Sequence, residues 1–218
     1  MCEELESISL RNISYSYSPG NYIIRDLTLN LDVGSRVCIT GRNGTGKTTL
    51  LKIVGLNLMP ENGEYIINKR NIYNEDIQFI QSFKKKYISF SFQEPLLIDN
   101  ISLRENILLS MSVKGIEIDF DDPFIQDTLS ILGLKDKLDV KAGKLSGGER
   151  KRADILRAFI SRPSLLILDE PMAHLDEKSK ENVLKLLLDS DDIPYIVYST
   201  PSDRELIELS TTTLNLSG

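Results

Sequence analysis

The stretch Gly41-Arg42-Asn43-Gly44-Thr45-Gly46-Lys47-Thr48 narrows most sharply what this chain can fold into. It follows the pattern G-x-x-x-x-G-K-[ST], a phosphate-binding loop when a strand precedes it and a helix follows. Both flanks fit. Arg36-Val37-Cys38-Ile39-Thr40 reads as a short apolar strand, and after the loop Leu50, Ile53 and Val54 share one helical face. Glycines let backbone N–H groups converge on an anion without Cβ obstruction, and the new helix points its positive end at the same place. In such a loop Lys47 reaches the β- and γ-phosphates and the Thr48 hydroxyl meets Mg²⁺.

At 218 residues the chain suits one large α/β domain, and 41% hydrophobic with 27% charged residues reads as soluble and globular. A net charge of −6 leaves no large basic footprint for nucleic acid, so none is expected as a partner. The two cysteines, Cys2 and Cys38, make no disulfide framework and point to a reducing compartment. Cys38 reads as a small buried apolar residue. No signal peptide and no membrane-spanning run are expected.

In chain order, Ile8, Leu10, Ile13, Tyr15 and Tyr17 alternate as a strand. A turn at 18–21 leads to a second strand through Ile23 and Ile24 and a third through Leu27, Leu29 and Leu31. Together they form an antiparallel layer ahead of the loop. Tyr17 offers a π-face to an adenine ring or covers core. Gly63 and residues 64–68 suggest a hairpin. Lys84-Lys85-Lys86 reads as a solvated helix end. Residues 87–92 alternate as a strand that stops at Gln93-Glu94-Pro95, where proline ends the ladder. A glutamine at a strand end can ligate Mg²⁺ through its carbonyl oxygen.

From 101 to 138 the spacing is helical, with stripes Leu103, Ile107, Leu108 and then Ile125, Leu129, Leu132 around an acidic loop at 119–123. These residues form an all-helical subdomain inserted in the α/β core. Ser146 and Glu149 make a capping box at the start of a helix through Ala153, Leu156 and Ile160. Capping leaves Gly147-Gly148 unexplained: two glycines bare the first-turn N–H groups, which suits a phosphate. The apolar run at 164–168 reads as a strand buried on both faces and ends in Asp169-Glu170. Adjacent strand residues point oppositely, so Asp169 would hold Mg²⁺ through water while Glu170 polarises an attacking water. A helix through Val183, Leu186 and Leu187 follows, then a strand at 195–198. The tail, through Leu209, Leu214 and Leu216, reads as a final helix and hairpin.

The order glycine loop, Gln93, Leu145-Ser146-Gly147-Gly148-Glu149, Asp169-Glu170 resembles the ATP-binding subunit of an ABC transporter over nearly the whole chain. The resemblance implies a P-loop NTPase core with an antiparallel β-layer and an inserted all-helical subdomain. It makes the chain a single ATP-binding domain, with 1–93 and 158–218 as core and 94–157 as the helical subdomain. It implies ATP and Mg²⁺ as cofactors. Gly41, Arg42, Asn43, Gly44, Thr45, Gly46, Lys47, Thr48 and Thr49 would hold the phosphates, and Tyr17 the adenine. Thr48, Gln93 and Asp169 would serve the metal, and Glu170 and Gln93 catalysis. Ser146, Gly147, Gly148 and Glu149 form the signature and Asp176 ends the D-loop; both would meet the nucleotide of a second ATP-binding subunit in a head-to-tail homo- or heterodimer. Transmembrane permease subunits would dock on the helical insertion near Gln93, placing the protein on the cytoplasmic face of the cell membrane. Phe92-Gln93, Leu96-Leu97, Glu105-Asn106 and Lys144–Gly148 look most like the lipoprotein-releasing and macrolide or bacteriocin exporter branch.

One position departs. The family usually carries a histidine after a threonine at the end of the last core strand, and here Thr200 is followed by Pro201. Proline neither donates a hydrogen bond to a γ-phosphate nor orients water. Ser199 or Thr200 would substitute through a hydroxyl. The single histidine, His174, lies in the D-loop and is expected at an interface. Three functions follow from these residues: an energy-coupling ATPase subunit, a soluble ABC-type ATPase serving the ribosome or DNA repair, and a nucleotide-operated dimerisation module with weak or no hydrolysis.

Overall fold

In the computed structural model, which describes residues 5–216, the strand ahead of the glycine loop forms as β3 (Ser35–Thr40). Cys2 lies outside the described residues. β3 joins β6 (Ile88–Ser91), β7 (Leu165–Leu168), β8 (Tyr195–Thr200) and β9 (Thr212–Asn215) in a parallel sheet of order β6-β7-β8-β3-β9. Every residue of β6, β7 and β8 is buried, as parallel strands covered on both faces require. Alternation divides their side chains between two cores. Cys38, Leu166, Leu168, Ile196 and Tyr198 face the helical side. Val37, Ile39, Leu165, Ile167, Tyr195 and Val197 face the antiparallel layer. Burial pushes the Cys38 thiol up to about 12, so it stays a packed neutral side chain.

That layer consists of β1 (Ile8–Ser18), β2 (Asn21–Leu31), β4 (Asn62–Ile67) and β5 (Arg70–Asn71), in the order β2-β1-β4-β5. The expected hairpin after Gly63 is β4–β5. β2 corrects the sequence reading, because one strand runs through the break expected between Ile24 and Leu27. Asp26 bulges out at φ 47°, and its N–H donates to Ser14 Oγ at 2.9 Å, so the ladder continues past it. The tail also differs. After a short helix, β9 pairs parallel to β3, with Val37 opposite Thr212, and makes no hairpin. The helical crossover returns the chain in the same direction, which a tight turn cannot do.

The helices are α1 (Lys47–Val54), α2 (Ile77–Tyr87), α3 (Leu103–Lys114), α4 (Pro123–Ile131), α5 (Gly147–Phe159), α6 (Glu177–Leu188) and α7 (Arg204–Leu209). The Lys84–Lys86 run lies in the last turn of α2, where cations meet the negative helix end. A Ser102/Glu105 capping box starts α3. Its buried stripe is Leu103, Ile107, Met111; Leu108, one position round the helix, is exposed. α4 starts at Asp122-Pro123 and buries Ile125 and Leu129. α5 runs through residues 157–158, where the sequence reading divides core from insertion, and packs against β6. Among the described residues no helix is long and apolar enough to cross a membrane.

Candidate active site

The carboxyl ends of β7, β8 and β3 lie side by side, the position where open parallel sheets hold their ligands. From β3 the chain enters the glycine loop and turns into α1 at Gly46, whose φ of 99° is open to glycine but costly for other residues. A Cβ there would sit 2.6 Å from the Ile23 side chain, so backbone passes where no side chain fits. No side chain caps α1 and no acidic residue occupies its first turn, which leaves the N–H groups for an anion. Lys47 is buried, and its Nζ donates to Gly41 O (3.0 Å) and Arg42 O (3.3 Å).

Across the sheet, Asp169 continues from β7 with its N–H donated to Ser91 O at 2.9 Å. Its Oδ2 accepts from Thr48 Oγ1 at 2.8 Å. Glu170 leaves the strand at φ 45°, a left-handed conformation uncommon outside glycine. Its Oε1 lies 3.6 Å from Lys47 Nζ, and Gln93 Nε2 donates to its Oε2 at 3.4 Å. Lys47, Thr48, Gln93 and Glu170 therefore line one cavity of about 420 Å³, together with Tyr17, Ile23, Asn43, Gly44, Gly46 and Thr49. The Tyr17 ring is 60% exposed at its rim and edge-on to Tyr15, and its hydroxyl meets Thr49 Oγ1 at 3.2 Å.

The oxygen set suits Mg²⁺. The Thr48 hydroxyl and the Asp169 carboxylate share a hydrogen bond that a hard cation would replace, and Gln93 keeps its amide oxygen. Among the described residues no group of three His, Cys, Asp or Glu could hold a metal alone. A cation here would complete its shell with phosphate and water, as Mg²⁺ usually does.

Other expected residues lie elsewhere. Gly41, Arg42 and Thr45 line a second cavity of about 540 Å³ with Thr40, Pro201 and Ser202. Ser146 and Glu149 exchange both capping bonds at the start of α5. That backbone bond, then Lys137, holds the Glu149 carboxyl below its ordinary range. Gly147 borders a third cavity of about 330 Å³ with Gln93, Lys151 and His174. Asp176 caps α6 and is held low by hydrogen bonds from Ser179. Ser146, Gly147, Gly148, Glu149 and Asp176 do not line the cavity of Lys47 and Thr48.

The hydroxyls offered as substitutes for a histidine are already engaged. Thr200 Oγ1 is buried against Asp203, donating to Oδ2 and accepting the Asp203 N–H at 2.9 Å. Ser199 Oγ donates to Asp169 Oδ1 at 2.6 Å and accepts the Glu170 N–H at 3.0 Å. Neither residue lines the cavity that holds Lys47 and Thr48.

Sequence reasoning passed over Lys151 and Asp154. Lys151 Nζ donates to Phe92 O (2.8 Å), Gln93 O (3.3 Å) and Asp169 O (2.8 Å). Burial pulls its pKa down to about 8, against the opposing pull of Asp154, Asp169 and Glu170. Asp154 accepts from Ser91 Oγ (2.8 Å) and the Phe92 N–H (3.0 Å) and pairs with Arg157. Lys151, Asp154 and Arg157 thus staple the strand before Gln93 to the signature helix. Their three-residue spacing on one helix face was the available signal.

A sequence profile described as ABC transporter matches residues 24–173. The chain is 35% identical over 184 residues to the lipoprotein-releasing system ATP-binding protein LolD of Rickettsia bellii, covering 83% of this chain and 81% of that protein. It is 30% identical over 187 residues to the ABC transporter ATP-binding protein YtrE of Bacillus subtilis, covering 83% and 81%. Among solved structures, a dimeric post-hydrolysis ATP-binding cassette bound to ADP and Pi superposes with a TM-score of 0.85 at 26% identity, covering 96% of this chain and 94% of that one.

Proposed function

Since this chain belongs to the ABC transporter family as an ATPase subunit, we propose that it binds Mg·ATP between β3, α1 and β7, dimerises on it, and drives a membrane permease by hydrolysing it. One observation carries the reading: Lys47, Thr48, Gln93 and Glu170, from three separate segments, converge on one cavity beside Asp169. Lys47 exchanges its two loop carbonyls for phosphate oxygens. Thr48, Asp169 and Gln93 would hold Mg²⁺, which would supply charge neutralisation to the phosphates. Glu170, released from Lys47 as the phosphates take that ammonium, accepts a hydrogen bond from the attacking water and polarises it.

The signature residues Ser146, Gly147, Gly148 and Glu149 cover the nucleotide of a second ATP-binding subunit, with Asp176 and His174 at the shared interface. Gly147 is exposed and a Cβ on it would meet open space, so that helix start is free for a phosphate from outside the chain. The permease docks at the cytoplasmic face, in the cavity of about 460 Å³ between α2 and α3, where Leu96, Ile98, Leu109 and Val113 expose apolar surface.

A second reading, a dimerisation switch with slow turnover, draws on Pro201 and on the engaged hydroxyls of Ser199 and Thr200. Calorimetry with Mg·ATP on the parent and Lys47→Ala tests the binding step. Loss of a buried ammonium–phosphate contact is expected to weaken affinity roughly 10- to 100-fold, from about 1.5–3 kcal/mol per charged hydrogen bond. Unchanged affinity would sink the assignment.

A further inference from the structure

We propose that Ser199 is a positioning residue that sets the Asp169 carboxylate for the metal and the Glu170 backbone for the attacking water, a role that rests on the nucleotide reading above. Ser199 lies near the end of β8, fully buried. β8 runs between β7 and β3, so its carboxyl end stands between Asp169 and the glycine loop. One hydroxyl makes two different bonds: its proton goes to Asp169 Oδ1 at 2.6 Å, and a lone pair takes the Glu170 N–H at 3.0 Å.

These bonds act on both carboxylate residues. Thr48 holds the other Asp169 oxygen, at 2.8 Å, but a cation competes for that hydroxyl. Ser199 then becomes the side chain that keeps Asp169 oriented from behind. Glu170 sits at φ 45°, where a non-glycine residue stays only if its surroundings hold it. The Ser199 bond pins the peptide plane from which the Glu170 side chain departs. Pro201 offers no donor, and Thr200 is tied to Asp203. The order that a phosphate-side residue would impose is imposed here from the buried side of the same strand end.

The test compares Ser199→Ala with Ser199→Thr, which keeps the hydroxyl, in the full chain below their thermal midpoints. In the metal-free protein, amide exchange at Glu170 is expected to quicken about tenfold or more in Ser199→Ala and to return toward the parent in Ser199→Thr. With a non-hydrolysable ATP analogue, Mn²⁺ followed by electron paramagnetic resonance should need roughly 10- to 100-fold more metal for half-saturation in Ser199→Ala, the usual loss for a residue supporting a metal ligand. Ser199→Thr should lie close to the parent. Unchanged exchange at Glu170 or unchanged Mn²⁺ half-saturation in Ser199→Ala overturns the proposal, as does a Ser199→Thr protein as impaired as Ser199→Ala. No nucleotide-dependent Mn²⁺ binding in any variant, parent included, overturns the nucleotide reading and this proposal with it.

Discussion

Thr48 Oγ1 lies 2.8 Å from Asp169 Oδ2 across 121 positions of sequence. The contact joins the first turn of α1 to the end of β7, and Asp169 is 1% exposed. Asp169→Asn keeps the shape and removes the charge. ATP binding in the presence of Mg²⁺ should weaken roughly 10- to 100-fold, whereas binding in EDTA should change little. Parallel titrations in the two buffers check this; equal losses in both would mean that Asp169 serves the fold and not the metal.

Gly147→Val examines assembly. Its Cβ meets no atom within 4 Å, so the monomer should fold and melt near the parent. The added bulk covers the N–H groups that a partner's phosphate would use. With Glu170→Gln blocking turnover, ATP should shift the parent from monomer to dimer in light scattering, ADP should not, and Gly147→Val should stay monomeric. A dimer that ignores ATP contradicts the shared site.

Pro201→His concerns rate. Pro201 is exposed beside Gly41 and Arg42, and the Ser199 and Thr200 hydroxyls before it are bound to Asp169 and Asp203. A single contact that positions water or phosphate is worth on the order of 10²-fold. The turnover number should rise at least tenfold in Pro201→His and fall to background in Glu170→Gln. Equal rates for parent and Pro201→His would show that this position does not limit hydrolysis.

Lys114 makes stability depend on pH. Its Nζ donates to Ile88 O at 2.7 Å and Lys85 O at 3.2 Å, and burial, then Arg157, lowers its pKa from 10.5 to about 8. Lys84 and Lys85 line the same groove and add no compensating negative charge. Between about pH 8 and 10.5 the unfolded chain holds a proton that the folded chain has released, so this group's contribution to stability rises with pH. Below pH 8 both states carry the charge and the folded one bears its desolvation. Urea unfolding should show the stability difference of Lys114→Met over the parent largest near pH 7 and shrinking toward pH 10. A constant difference would remove Lys114 as the cause.

The parts of this protein legible in sequence are those whose causes lie within a few residues. Gly41–Thr48 needs a strand before it and a helix after it, and both were visible as apolar spacing. The Ser146/Glu149 box caps its own helix, and residues 164–168 are apolar because both faces of β7 are covered. Tertiary structure decided what depends on strand order and on bonds to distant backbone. Pairing with β1 carried β2 past Asp26 as one strand, and β9 turned parallel because α7 returned the chain along β3. The placement of β8 between β7 and β3 made Ser199 a partner of Asp169 and Glu170, where sequence reading had offered it to a phosphate. Lys151 shows the same limit: its three acceptors are main-chain carbonyls, which every residue type supplies, so no side-chain pattern marks them.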